Sequence, residues 1–202
     1  MKKKFPYYTQ LDAMDCGPSC LRMIAKHYGR HYSLETLRQH SFITREGVSM
    51  LGISDAAEHI GFRTSGVMIS FEQLVKEAPL PCIVHWKQNH FVVVYNIKKD
   101  KRVGHRIYVA DPALGLVTYD EADFKKCWYS TKKDEEEKGT ALLLEPGPEF
   151  FDREDEKENR TRSLRYFLRY LTPYKSQLMQ LVLGIVYFGL IVPLFSVKPC
   201  HY

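Results

Sequence analysis

The sequence changes its hydrophobic period at Pro81, and that change confines the chain to folds that set helices against antiparallel strands. Upstream, apolar residues recur at helical spacing. Leu21, Ile24, Ala25 and Tyr28 form a stripe in a segment that should run from about Cys16 to Tyr28, with Pro18 in the first turn and Gly29 as the stop. Further helices are predicted at 33–40 with Ser33 as cap, and at 49–60 with Ser49 as cap and Gly61 as stop; a short one before Pro79 opens on the capping box Ser70-x-x-Gln73. Downstream, Cys82-Ile83-Val84-His85-Trp86 and the run from His90 to Ile97 flank the polar turn Lys87-Gln88-Asn89, which is a hairpin pattern. Arg106 to Ala110 reads as a third strand entering the turn Asp111-Pro112-Ala113-Leu114-Gly115, and Ala141 to Leu144 reads as the last. Helices first and antiparallel strands after give an α+β class.

Composition removes several function classes. A chain of 202 residues, 45% of them hydrophobic, buries one substantial core and carries a smaller appendage. The net charge of +5 comes from 29 basic and 24 acidic residues, which mix in runs such as Lys132-Lys133-Asp134-Glu135-Glu136-Glu137-Lys138. Phosphate binding needs clustering of one sign, so no nucleic-acid surface is expected. Five cysteines, Cys16, Cys20, Cys82, Cys127 and Cys200, are too few and too irregular for a disulfide scaffold, and a reducing compartment follows. The start, Met1-Lys2-Lys3-Lys4-Phe5-Pro6, is basic but leads into polar residues, so it is not an export signal.

A second boundary falls near residue 147. Residues 148–162 are dense in charge and read as a linker after a domain of residues 1–147. Residues 163–175 place Leu164, Phe167, Leu168 and Leu171 at helical spacing opposite arginines, as in a helix lying in a membrane interface. Residues 176–197 hold 22 uncharged positions; as a helix these rise about 33 Å, enough for a hydrocarbon core of about 30 Å, and a transmembrane helix is expected there. The basic flank, with no acidic residue after Glu158, puts the N-terminal side in the cytoplasm.

Four residues form a pattern with chemical content. A thiol attacks an amide as thiolate, and a helix N-terminus beside a histidine promotes that form. Cys16 has the first setting, and His90, at the start of a strand, can supply the second. Asp111, ending a later strand, can hold the other ring nitrogen and fix its tautomer. Gln10, six residues before Cys16, can set its amide beside the Cys16 backbone N–H as an oxyanion donor, worth about 3–4 kcal/mol.

Taken in order, Gln10-x-x-x-x-Asp15-Cys16-Gly17-Pro18, His90-Phe91-Val92-Val93-Val94 and Asp111-Pro112-Ala113-x-Gly115 make the chain resemble the C39 family of papain-like cysteine peptidases. That family forms the N-terminal domains of bacterial peptidase-containing ABC exporters. The resemblance covers about residues 5–145. It implies Cys16 as nucleophile, His90 as general base, Asp111 as orienting residue and Gln10 as oxyanion donor. It further implies cleavage after a Gly-Gly type sequence in the leaders of bacteriocin-like cargo, at the cytoplasmic face of the cell membrane. Partners implied are exporter transmembrane and nucleotide-binding domains and a second copy of the chain. No cofactor is expected here: Gly61 and Gly66 have Walker spacing, but Val67-Met68 replaces the Lys-Ser/Thr that phosphate and magnesium require.

Three other readings compete, one of which keeps the thiol chemistry but changes the reaction, as in papain-like transglutaminases or cell-wall amidases; the cytoplasmic orientation disfavours wall hydrolysis and leaves acyl transfer open. Cys16-x3-Cys20-x6-His27-x3-His31 offers metal-ligand types, but within one predicted helix and with too short a spacer for a zinc finger, so no metal is expected. The third is an exporter domain that docks leaders without cutting them, and retention of all four residues argues against it.

Overall fold

In the computed structural model the described residues are 4–42, 47–133, 136–152 and 174–187. The chain divides into two compact units, Met1–Glu158 and Asn159–Tyr202.

The first unit begins with a 3-10 turn, Ala13–Asp15, that runs straight into α1 (Cys16–His27). Helices α2 (Leu34–His40) and α3 (Met50–His59) complete a helical layer. Ser33 and Ser49 cap them as expected, accepting from the N–H groups of Thr36 and Gly52. There follow β1 (Phe62–Ile69), α4 (Phe71–Lys76), β2 (Cys82–Trp86), β3 (His90–Asp100), β4 (Gly104–Asp111), β5 (Gly115–Asp120), α5 (Glu121–Trp128), β6 (Tyr129–Lys133), β7 (Glu136–Pro146) and α6 (Pro148–Asp152). The strands pair antiparallel in the order β1-β7-β2-β3-β4-β5, with β6 hydrogen-bonded to β7. The architecture is α+β.

Both faces of the sheet are covered, and strand alternation decides which residue goes where. Ile83, Phe91, Val93, Leu142 and Leu144 point to the α1–α3 side and bury with Leu21, Ile24 and Ile53. Their neighbours Cys82, Val84, Val92, Val94 and Ala141 point the other way, to Phe71, Leu74, Phe124 and Trp128 of α4 and α5. A side chain of this size stabilises the fold by about 1.5–3 kcal/mol when fully buried.

Two elements depart from the sequence-based expectation. Strand β1 interrupts the helical half: it lies at the sheet edge on β7, and only Phe62 of its eight residues is fully buried, so its periodicity is faint. Helix α6 occupies the start of the expected linker. Its Phe150 is fully buried against the rings of Phe62 and Tyr28. Gly61, at φ +96°, admits this approach, since a Cβ there would lie 2.6 Å from the backbone nitrogen of Phe150.

The expected transmembrane helix covers 176–197. In the second unit, α7 (Lys175–Val186) has 12 residues, a rise of about 18 Å. Among the described residues no helix is long and apolar enough to cross a membrane. Residues 188–197, and residues 163–173 of the expected interfacial helix, lie outside the described residues.

Candidate active site

Cys16 is the first residue of α1 and is 5% exposed. The turn before it is built by reciprocal capping: the Asp12 carboxylate accepts from the Met14 N–H at 3.3 Å, and the Asp15 carboxylate accepts from the Asp12 N–H at 3.0 Å. Gly17 lets α3 and the loop before it close on this turn, because a Cβ there would meet Val48 at 2.5 Å and Ile53 at 2.6 Å.

The sheet supplies the other groups. His90 opens β3 opposite Trp86, and Asp111 ends the adjacent β4. Their side chains meet at 2.9 Å between His90 Nε2 and Asp111 Oδ1. The same Asp111 oxygen accepts from the Ala113 N–H at 2.8 Å, which fixes the carboxylate in its Asp-Pro turn. With Nε2 on Asp111, Nδ1 is the ring nitrogen left for a thiol. Burial lowers the pKa of His90, but hydrogen bonds to Asp111 and Cys16 outweigh it and raise the value to about 9. Burial pushes the Asp111 carboxyl up, and its bonds with His90 and Ala113 more than reverse this, leaving it below its ordinary range. The structure thus pairs His90 directly with Asp111, and Cys16 acts on the same imidazole electrostatically.

Gln10 reaches the site through its backbone. Its N–H donates to the Pro112 carbonyl at 3.0 Å, and the Tyr7 hydroxyl donates to the same oxygen at 3.2 Å, so the N-terminal segment is clipped to the turn that carries Asp111. The Gln10 side-chain Oε1 is buried and has no hydrogen-bond partner among the described residues. Rotating the amide by half a turn would place its NH2 there instead.

Beside Cys16 lies a cavity of about 410 Å³, lined among others by Met14, Val48, His85, Gln88 and Phe91. Sequence reading missed His85, although its alternation with Ile83 in β2 already put it on the α1 side. Its ring stacks on Phe91 at 5.0 Å, and burial lowers its pKa against the opposing pull of the Gln88 backbone. Gln88 is carried by a turn in which Lys87 and Gln88 have φ of +48° and +62°, rare for residues with a Cβ. Asp15 was also missed as more than part of a motif: it is 1% exposed and gripped by Arg38 of α2, with Arg38 Nε at 2.6 Å from Oδ1 and Nη2 on Oδ2.

The remaining cysteine and histidine candidates serve elsewhere. Cys20 is fully buried, donates to the Phe91 carbonyl at 3.2 Å, and is raised well above the usual thiol range by burial first and by the charges of Cys16 and Asp111 after it. Cys82 is pushed up to about 12 by burial. His27 packs on Phe5 at 5.2 Å, and Lys26 Nζ meets His31 Nδ1 at 3.4 Å. Among the described residues no three His, Cys, Asp or Glu side chains gather into a group that could hold a metal ion.

A thiol at a helix start facing a carboxylate-held imidazole, on helices packed over an antiparallel sheet, defines the class as cysteine peptidase. Within it the chain belongs to the peptidase C39 family, whose model matches residues 4–132. It is 31% identical over 149 residues to the colicin V secretion/processing ATP-binding protein CvaB of Escherichia coli, covering 74% of this chain and 19% of that protein. It is 36% identical over 151 residues to the lactococcin-G-processing and transport ATP-binding protein LagD of Lactococcus lactis subsp. lactis, covering 72% and 19%. The chain thus spans about a fifth of the length of these relatives. Among solved structures, it superposes on a double glycine motif protease from an AMS/PCAT transporter in complex with the leader peptide, with TM-score 0.60 and 32% identity over 71% of this chain and 92% of that one. The peptidase domain of Streptococcus ComA, a bi-functional ABC transporter involved in a quorum sensing pathway, gives TM-score 0.58 and 28% identity over 71% and 99%.

Proposed function

We propose that this chain cuts leader peptides after a Gly-Gly motif, freeing bacteriocin-like or other peptide cargo for an ABC exporter. The observation that carries the reading is the 2.9 Å bond from His90 Nε2 to Asp111 Oδ1, on an imidazole whose pKa Cys16 also helps to raise. In this mechanism Cys16 sulfur attacks the carbonyl carbon of the second glycine, and the carbonyl electron pair moves to oxygen. The Cys16 backbone N–H and the Gln10 amide receive that oxyanion, as the buried and unpartnered Gln10 side chain suits. Collapse breaks the C–N bond, His90 gives its proton to the leaving amine, and the acyl group remains on sulfur. Water, deprotonated by His90, then releases the leader as a carboxylate. Asp111 keeps the ring oriented throughout.

Bulky neighbours at Cys16, namely Met14, Val48 and Phe91, favour residues without side chains at the cleavage point. The leaders named for the structural relative, and the transport proteins that the chain resembles, support the same substrate class. By the same likeness the chain works at the cytoplasmic face of a cell membrane, with transmembrane and nucleotide-binding domains and a second copy as partners, and its units follow the order peptidase, charged linker, interfacial helix, first membrane helix.

The test is cleavage of a leader peptide ending in Gly-Gly by the 202-residue chain, beside variants with Ala or Val at the last position. Cutting should follow Gly, Ala, Val, with Val at least about tenfold slower than Gly. Comparable cleavage of all three would remove the Gly-Gly specificity, and no cleavage of any would remove the activity.

A further inference from the structure

The carboxylate next in sequence to the nucleophile is an unusual neighbour. Asp15 is 1% exposed, yet the structure gives it a full set of donors: the Asp12 N–H at 3.0 Å, Arg38 Nε at 2.6 Å and Arg38 Nη2. A buried carboxylate without such partners is severely destabilising, and this fork is the bidentate arrangement that guanidinium makes best. The pair therefore joins α2 to the turn that launches α1. It also sets a negative charge one residue from a sulfur that must become negative itself.

Resting on the reading of Cys16 as nucleophile, we infer that Asp15 and Arg38 are a positioning pair for it: the fork anchors the first turn of α1, and Arg38 cancels the field that Asp15 would otherwise impose on the sulfur. Arg38 is well placed for this, since its side chain is only 33% exposed and solvent screens it incompletely. The other charged or titratable groups around the unit are few among the described residues. Cys16 interacts electrostatically with His90 of β3, itself held by Asp111 of β4, shares its cavity with His85 of β2, and has Cys20 one turn on along α1. Around the fork stand Asp12, in the turn, and Glu35 of α2, 3.9 Å from Arg38 Nη1.

A purely structural pair and an electrostatic one behave differently when each partner is neutralised. Replacing Arg38 by Gln leaves Asp15 unbalanced and should make the thiolate harder to form. Replacing Asp15 by Asn leaves Arg38 unbalanced and should make it easier. A loss of anchoring alone would move both variants the same way.

The experiment is the rate of Cys16 alkylation by iodoacetamide against pH in the 202-residue chain, with the labelled site read by peptide mass spectrometry and folding followed by far-UV circular dichroism. The acid limb should move up by about half a pH unit or more in Arg38→Gln and down by a similar amount in Asp15→Asn, the double variant falling between them. Arg38→Lys, which keeps the charge and loses the fork, should shift less than half as far as Arg38→Gln. Shifts in one direction, or none, would overturn the inference. If Arg38→Gln does not fold, Asp15→Asn decides alone: a downward shift supports the pair, and no shift or an upward one overturns it. Preferential labelling of Cys127 over Cys16 in the unsubstituted chain would instead overturn the peptidase assignment, whatever the variants do.

Discussion

The two faces of the sheet are covered by different kinds of residue. On the α1–α3 side three of the four polar side chains buried among the described residues, Asp15, Ser19 and Ser41, sit in or at the ends of helices, and the fourth, Asp111, ends β4 beside His90. On the α4–α5 side the buried residues are apolar or aromatic, led by Phe71, Trp86, Phe124 and Trp128, with ring centroids 5.3–6.0 Å apart for the pairs Trp86–Phe124, Phe124–Trp128 and Phe71–Phe124. One face bears the cost of buried polar groups so that a reacting geometry exists, and the other contributes apolar burial with no chemistry of its own. Activity and stability should therefore separate by face.

The largest effect belongs to the polar side. Cys16→Ala should lower leader cleavage by about 10⁴-fold or more while moving the thermal midpoint by only a few degrees; paired kinetics and melting would contradict the division if both collapsed together. Trp128→Ala is the reciprocal case. It should cost about 3–5 kcal/mol in urea unfolding, and kcat/KM per folded molecule should stay within about threefold. A large drop in kcat/KM would show that the aromatic face shapes the site.

His90 links the two properties on one face. Its folded pKa of about 9 exceeds the ordinary 6.5, so folding favours the protonated ring. That contribution is fully present below about pH 6.5 and fades as pH rises through 9. Wild type should lose about 1–3 kcal/mol relative to His90→Gln over this interval, and parallel stability curves for the two proteins would contradict the raised value. The smallest effect is on the apolar side: Ser70→Ala removes one half of the α4 capping box, which should cost about 1 kcal/mol of stability and leave cleavage unchanged.

Much of this division was legible in the sequence because short-range signals specify it. Ser33, Ser49 and Ser70 announced three helix starts, and the run from Cys82 to Ile97 announced its own hairpin. The ordered set of Cys16, His90 and Asp111 carried a family likeness that no single residue could. What escaped depends on distant partners. Phe150 looks like part of a charged linker until Gly61, with no Cβ, lets it into the core. Asp15 looks like a helix cap, and only folding sets Arg38, 23 residues on, against it. His85 faces the cavity because β2 pairs in one register with β3, and Gln88 lines it through a left-handed turn that its residue type does not suggest. Of the expected membrane span at 176–197, residues 188–197 lie outside the described residues.

The position of β7 between β1 and β2 also sets a timetable. The segment that joins the edge strand to the rest of the sheet is the last of the strands to be synthesised, ending at Pro146. Until it emerges from the ribosome, at roughly 5–20 residues per second, β1 and β2 each show an unpaired backbone edge to other chains. The thiol of Cys16 is made early, His90 and Asp111 follow, and the platform that fixes them is complete only after the closing strand has slid between its neighbours. A chain broken off before residue 136 would leave two sheet edges open to aggregation.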